Sequence, residues 1–320
     1  MVIFQNVSKF ILSNVNVHIP KGSIVGIIGA SGAGKTTFLK LACGLLEPLE
    51  GMVFTMRKPA VKAKREIAEQ IGVLFTDIPV FQAEQTLAHS FAERKWVYGM
   101  EEERFQDAYE ELGRRLGYLD YMDSWPGALS LGQRRRAELG AVLLHSPKLI
   151  LLDEPGIGLD QNARGALREL LEERKKEGAT ILISSHDMEE ISALCDRILL
   201  LDGGCSVFYG TKELLLKKYA PMDVCELVFE GRCPDFGDLP IEEYCIDSQH
   251  LTFSYDSNHI SAAEILSHIV PQTKILSVQV KKADLTDTIK NIALERKKGI
   301  RYPDPDTDPE QDKIEREGQT

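Results

Sequence analysis

Gly29-Ala30-Ser31-Gly32-Ala33-Gly34-Lys35-Thr36 stands between the apolar run Ile24-Val25-Gly26-Ile27-Ile28 and the helix-like stretch Thr37-Phe38-Leu39-Lys40-Leu41-Ala42. Strand, glycine-rich turn and helix in that order form the context a phosphate-binding loop requires. Gly29, Gly32 and Gly34 let the backbone curl around an anion without Cβ clashes, so that N–H groups and the helix N-terminus point inward. Lys35 can then reach the β- and γ-phosphates, and the Thr36 hydroxyl can hold Mg²⁺. Residues 29–37 are therefore read as the seat of a nucleoside triphosphate.

A length of 320 residues allows one large or two modest domains. The net charge of −11 argues against a general binder of nucleic acid or anionic membrane. No apolar stretch approaches the ~20 residues that span a bilayer, and Val2-Ile3-Phe4 opens on a strand rather than a signal-peptide pattern. Cysteines 43, 195, 205, 225, 233 and 245 are scattered without CxxC pairs, and they read as reduced thiols of a reducing compartment.

Leu149-Ile150-Leu151-Leu152-Asp153-Glu154-Pro155 suits a strand buried on both faces of a parallel sheet, ending in two carboxylates. Asp153, at the carboxyl end, is placed to bind Mg²⁺. Glu154 points elsewhere, and it is the candidate general base for the attacking water. Upstream, Ser130 and Gln133 have capping-box spacing in Leu129-Ser130-Leu131-Gly132-Gln133, which marks a helix start and a second anion-binding end. The following run Arg134-Arg135-Arg136, relieved by Glu138, reads as a solvated face.

Phosphate loop, Leu-Ser-x-Gly-Gln and Asp-Glu-Pro strand, in that order, resemble the nucleotide-binding subunit of an ABC transporter. The form Leu-Ser-Leu-Gly-Gln with trailing arginines resembles that of exporters of the ABC-2 kind. The resemblance covers residues 1–219 and implies an α/β fold: a P-loop ABC ATPase with a helical subdomain at 77–140. It implies ATP and Mg²⁺ as ligands. It also assigns Asp160, in Gly158-Leu159-Asp160, to the D-loop, and His186, in Ser184-Ser185-His186-Asp187, to the switch histidine at the γ-phosphate. Phe10 sits where the family stacks an aromatic on adenine, although a core phenylalanine is the alternative. Family members carry a glutamine after the strand at 71–75; here Thr76 and Asp77 occupy that place, and either could take its role.

In the family, Ser130, Gly132 and Gln133 of one copy close over the γ-phosphate held by Lys35 of another. The implied partners are a second copy, in a head-to-tail ATP sandwich, and a polytopic membrane permease. The implied location is peripheral, at the cytoplasmic face of the cell membrane, with no nucleic acid expected. The reading is an ATP-hydrolysing exporter subunit, with Lys35, Glu154 and His186 catalytic. The alternative is a non-transport ABC ATPase acting on ribosomes or nucleic acid.

Apolar residues at i, i+3 and i+4 predict helices over 83–98 and 102–117. Phe81, Leu87, Phe91, Trp96 and Tyr98 are candidates for the groove that receives the permease, or else for the core. A hairpin is expected around Asp202-Gly203-Gly204. Residues 220–298 read as a small α+β domain resembling the C-terminal appendage of ABC-2 exporters. It has strands at 224–229, 250–255 and 275–280, a capped helix from Ser261 and a last helix at 284–295. The acidic tail at 299–320 is expected to be disordered.

Overall fold

The apolar runs that open at Ile24, Leu149 and Ile181 become strands of one sheet in the computed structural model, which describes residues 1–219, 222–257, 259–282 and 288–289. Two units separate along the chain, Met1–Gly210 and Thr211–Tyr302. The first begins with β1 (Val2–Lys9), β2 (Leu12–Ile19), β3 (Ile24–Ile28), α1 (Lys35–Ala42), β4 (Glu50–Thr55) and β5 (Lys58–Pro59). Next come α2 (Lys64–Ala68), β6 (Ile71–Leu74), α3 (Leu87–Val97), α4 (Glu102–Leu116) and α5 (Leu131–Leu143). It closes with β7 (Leu149–Asp153), α6 (Gln161–Lys176), β8 (Thr180–Ser184), α7 (Met188–Leu194), β9 (Arg197–Asp202) and β10 (Cys205–Thr211).

The alternating strands β1, β2, β4 and β5 form one sheet, in the order β2-β1-β4-β5. The continuously apolar strands form the other, β10-β9-β3-β8-β7-β6. In this second sheet β9, β3, β8, β7 and β6 run parallel. All five residues of β3, of β7 and of β8 are buried, as expected of strands covered on both faces. Phe38 of α1 stacks on Phe4 of β1, ring centroids 4.0 Å apart and planes 6° apart, while α1 also packs on β7 and β8. The helix that opens at the glycine loop is thereby gripped by both sheets. The expected hairpin at 202–204 joins β9 to β10 through Gly203 and Gly204, both at positive φ, as a two-residue primed turn requires.

Helices α3 and α4 match the two helical expectations, with α3 starting late because the Thr86 hydroxyl caps it through the His89 N–H. Phe81, Leu87 and Phe91 are buried core residues of this region rather than groove residues, and the Phe91 ring packs against Phe81, Tyr109 and Tyr118. Trp96 is 86% exposed. Tyr98 stacks flat on His145 at 3.7 Å.

The second unit contains α8 (Lys212–Tyr219), β11 (Met222–Glu230), β12 (Ile241–Asp247), β13 (His250–Asp256), α9 (Ala262–Ile269) and β14 (Lys274–Lys281). Its antiparallel sheet β12-β13-β11-β14 and α9 enclose a separate core of Cys225, Leu227, Phe229, Leu251, Phe253, Tyr255, Ile265 and Ile269. Ser261 and Glu264 form the expected capping box of α9. Strand β12 was not legible in the sequence. Of the helix expected at 284–295 only Thr288 and Ile289 are described, and the tail at 299–320 lies outside the described residues.

His145 supplies an acid-sensitive contact in the first unit. Burial, then the charges of Arg94 and Arg104, lower its pKa to about 4, against the opposing pull of the Ile71 carbonyl 3.3 Å from Nε2. The unfolded chain protonates near pH 6.5 while the folded ring stays neutral, so this stabilisation is complete above pH 6.5 and is lost as pH falls toward 4. The expected loss by pH 4 is about 3 kcal/mol. Urea denaturation from pH 7 to 4 should show a shallower acid decline for His145→Phe than for the wild-type chain.

Candidate functional site

Strands β3, β7 and β8 are neighbours in one parallel sheet, so their carboxyl ends deliver residues 29, 153 and 184 to a single edge. Such an edge is where ligands bind in open α/β sheets. The loop after β3 turns tightly under β9: a Cβ at Gly29 would lie 2.2 Å from the Leu201 carbonyl oxygen. Gly34 caps α1 at φ +104, with Leu12 where its side chain would go. Ala30, Ser31 and Gly32 are exposed and Ala33 is buried. Lys35 Nζ donates to the carbonyls of Gly29 (2.8 Å) and Ala30 (3.2 Å), which holds the ammonium across the loop mouth. Thr36 and Thr37 follow in the first turn of α1, half-buried.

Asp153 is 2% exposed and accepts three hydroxyl hydrogen bonds. Ser184 Oγ donates to Oδ1 at 2.6 Å, and Thr36 Oγ1 and Thr76 Oγ1 donate to Oδ2 at 2.8 and 3.2 Å. Asp153 and Ser184 are register partners of β7 and β8, which places both side chains on the same face. Sequence reasoning missed Ser184. Its signal was the parallel pairing of two apolar runs that both end in polar residues.

Glu154 takes φ +49, an unusual conformation for a side chain of this size. Its N–H is secured by the Ser184 carbonyl (3.0 Å) and hydroxyl (3.1 Å). The turn breaks the strand alternation and carries Glu154 Oε2 to 2.7 Å from His186 Nδ1. His186 is exposed, while its neighbours are fixed: Ser185 Oγ donates to Glu190 Oε2 at 2.9 Å, and Arg164 donates to Asp187 at 2.8 Å. Burial pushes the Glu190 carboxyl up against the pull of Ser185, and the Glu190 N–H, then Arg164, hold Asp187 below the usual range.

A second cluster gathers at the N-terminus of α5. Ser130 and Gln133 form a reciprocal capping box: the Ser130 N–H donates to Gln133 Oε1 at 2.9 Å and the Gln133 N–H donates to Ser130 Oγ at 3.2 Å. Gly132 lies so close to the turn after β7 that a Cβ would sit 2.5 Å from the Gly158 carbonyl oxygen. Arg136 pairs with Asp160, which caps α6 through the Ala163 N–H at 2.9 Å. The arginine run is not a uniformly solvated face. Arg135 is 5% exposed and bonds Glu138 at 3.2 Å, because the helix turns it inward.

Phe10 is not a core residue. It is 73% exposed at the turn between β1 and β2, with φ +52 and Lys9 over its ring. Its neighbours Ile11 and Leu12 reach Gly34, so this tip borders the glycine loop. Of the two residues at the missing glutamine, Thr76 reaches Asp153, whereas Asp77 pairs with Lys40 of α1. The six cysteines are free thiols. Among the described residues no cluster of three or more His, Cys, Asp or Glu forms a metal cage, and no helix is long and apolar enough to cross a membrane.

Residues 12–156 match the family described as ABC transporter. The chain is 35% identical over 223 residues to the ABC transporter ATP-binding protein NatA of Bacillus subtilis, covering 69% of this chain and 91% of that protein. It is 32% identical to the methionine import ATP-binding protein MetN of Carboxydothermus hydrogenoformans, covering 66% and 64% respectively. It is 28% identical to the Nod factor export ATP-binding protein I of Bradyrhizobium diazoefficiens, covering 68% and 71%. Among solved structures, an ATP-binding subunit of an ABC transporter superposes with a TM-score of 0.64 at 26% identity, over 68% of this chain and 92% of that one. A dimeric ATP-binding cassette in a post-hydrolysis state with ADP and Pi gives a TM-score of 0.59 at 25% identity, over 66% and 98%.

Removing one hydroxyl from Asp153 leaves a buried carboxylate short of a partner. Ser184→Ala should lower unfolding free energy by about 1–3 kcal/mol, the range for buried hydrogen bonds to charged groups. Urea midpoints at neutral pH measure this directly.

Proposed function

The chain belongs to the family of ABC transporter ATP-binding proteins, and from that premise we propose that it is the ATP-hydrolysing subunit of an exporter. Two copies work beneath a separate membrane permease, peripheral to the membrane at its cytoplasmic face. The observation that carries this reading is the convergence of Lys35, Thr36, Asp153, Glu154 and His186 on one edge of the parallel sheet.

On this reading the backbone N–H groups of 29–37 and the Lys35 ammonium bind the phosphates of ATP. Phe10 offers its exposed ring to the base. Thr36 and Asp153 would hold Mg²⁺, and they fit it: a hydroxyl and a carboxylate 2.8 Å apart are hard oxygen donors of the kind Mg²⁺ takes beside phosphates and water. Bound there, the ion neutralises phosphate charge. Glu154 accepts the proton as the water oxygen bonds to the γ-phosphorus and the bridging oxygen leaves with the diphosphate. His186 holds the Glu154 carboxylate in place and faces the γ-phosphate. The helix end at Ser130, Gly132 and Gln133, with Asp160 beside it, serves the nucleotide of the second copy. This supports a head-to-tail pair, in keeping with the dimeric post-hydrolysis cassette.

The export direction is supported by the Nod factor export relative and by a separate unit from Thr211 onward. The methionine import relative names the opposite direction, which transport assays distinguish. Tagged Glu154→Gln protein, solubilised from its native cells with ATP, should copurify with a polytopic membrane protein in near-equal amount. Copurified ribosomal or DNA-bound proteins without a membrane partner would overturn the reading. Inverted vesicles carrying the complex should then accumulate cargo on ATP addition, whereas an importer would empty them.

Glu154→Gln should lower ATP hydrolysis by about 10²–10⁴-fold while nucleotide binding persists and the dimer accumulates. Unchanged turnover would remove Glu154 as the base. Lys35→Ala should lose nucleotide binding itself, measured by titration calorimetry.

A further inference from the structure

The arginine run of α5 puts one guanidinium where solubility does not need it. Arg135 is buried and shares Glu138 with the half-buried Arg134: Arg135 Nη1 donates to Oε2 at 3.2 Å, and Arg134 Nε lies 3.7 Å from Oε1. Arg135 Nε is buried with no hydrogen-bond partner. A guanidinium stays protonated inside a protein, and a buried donor left unpaired is destabilising. Pairing with Glu138 alone therefore does not account for this burial.

Its place on the helix says what else it faces. Arg135 and Val142 are two turns apart on one side of α5, and Val142 lies on β6: a Cβ at Gly72 would sit 2.7 Å from its carbonyl oxygen. From α5 the chain enters β7 at Leu149, beside Ile71, so the N-terminal end of α5 points toward the carboxyl ends of these strands. Two helical turns rise about 10 Å, the length of about three strand residues. Arg135 thus lies near the level of Phe75, one step beyond the pair Leu74 and Leu152, which is the level of Asp153. The electrostatics agree with this placement: burial pulls the Arg135 pKa down, and the charges of Glu138 and then Asp153 oppose it. The three donors on Asp153 are neutral hydroxyls, so none of them cancels its charge.

We propose that Arg135 is a built-in counter-charge of Asp153, which keeps the carboxylate from holding a divalent cation until nucleotide phosphates add their own negative charge. This rests on the ATPase reading above. Arg135 is a positioning residue rather than a catalytic one, because it acts through Asp153 from inside the protein. A fixed positive charge behind a cation site weakens cation binding, and burial protects that effect from screening by salt.

The test titrates the full, nucleotide-free chain with Mn²⁺, a cation of the same oxygen-seeking class, and follows the free ion by electron paramagnetic resonance. A non-hydrolysable ATP analogue is titrated separately in EDTA. Arg135→Met should tighten Mn²⁺ binding by about 3–10-fold, and its analogue affinity in EDTA should not rise. Arg135→Lys, which keeps the charge, should restore the wild-type Mn²⁺ affinity. Adding Asp153→Asn to Arg135→Met should abolish the gain. Arg135→Met/Glu138→Leu leaves no buried charge unpaired, so it serves where the single variant does not fold, and it should shift Mn²⁺ binding the same way. Unchanged Mn²⁺ affinity in both variants overturns the proposal. So does a joint loss of Mn²⁺ and analogue affinity, which would mark a structural role. A wild-type chain that binds no analogue with Mn²⁺ would instead defeat the ATPase reading and the phosphate half of this proposal. The nucleotide-free shift would still decide whether Arg135 opposes a cation at Asp153.

Discussion

One buried charge organises the first unit. Taking a carboxylate out of water costs several kcal/mol unless hydrogen bonds replace the lost hydration. Asp153 meets that demand with hydroxyls from three different places in the chain: the first turn of α1, the residue after Phe75 and the end of β8. Each donor is correct only if its element is correctly seated, so satisfying one carboxylate ties three element ends together. The same condition makes the edge of the sheet an organised polar site rather than a frayed one.

The strain next to Asp153 follows from this arrangement. Consecutive residues of a strand point to opposite faces, so a regular Glu154 would be carried away from the edge. Its positive φ, an arrangement costing of order 1–3 kcal/mol, reverses that direction. Ser184 offsets the cost by holding the Glu154 N–H with both its carbonyl and its hydroxyl. One serine therefore supports both carboxylates: it stabilises the charge of Asp153 and the strained backbone of Glu154. On the hydrolytic reading, this separates a residue that faces a cation from one that faces water.

Much of this was legible in the sequence because it depends on local rules. The glycine loop, the apolar strands and the two capping boxes need only neighbours a few residues away to be recognised. What escaped depends on tertiary contact. Arg135 reads as one of three solvated charges, but only a packed α5 shows it turned inward beside Glu138. Phe91 and Trp96 sit five positions apart on one helix, with similar apolar character. One meets Phe81 and Tyr118 and the other meets solvent, a difference the weak amphipathicity of α3 does not encode. Strand β12, rich in acidic residues, becomes a strand because β13 offers it a pairing edge. Ser184 and Thr76 are ordinary polar residues until the register of β7 is known.

Register is thus the remaining link between sequence and chemistry. In β7 and β8 the pairing runs from Leu149 with Thr180 to Asp153 with Ser184, and every position between those two pairs is apolar. A slip of one residue would keep every apolar side chain buried among apolar neighbours, because both strands are covered on both faces. It would still turn Asp153 to the opposite face from Ser184 and leave its charge unpaired. Hydrophobic burial alone therefore does not choose between these pairings, whereas the cost of an unsatisfied buried carboxylate does. The polar groups that give this edge its chemistry also select the strand alignment that creates it.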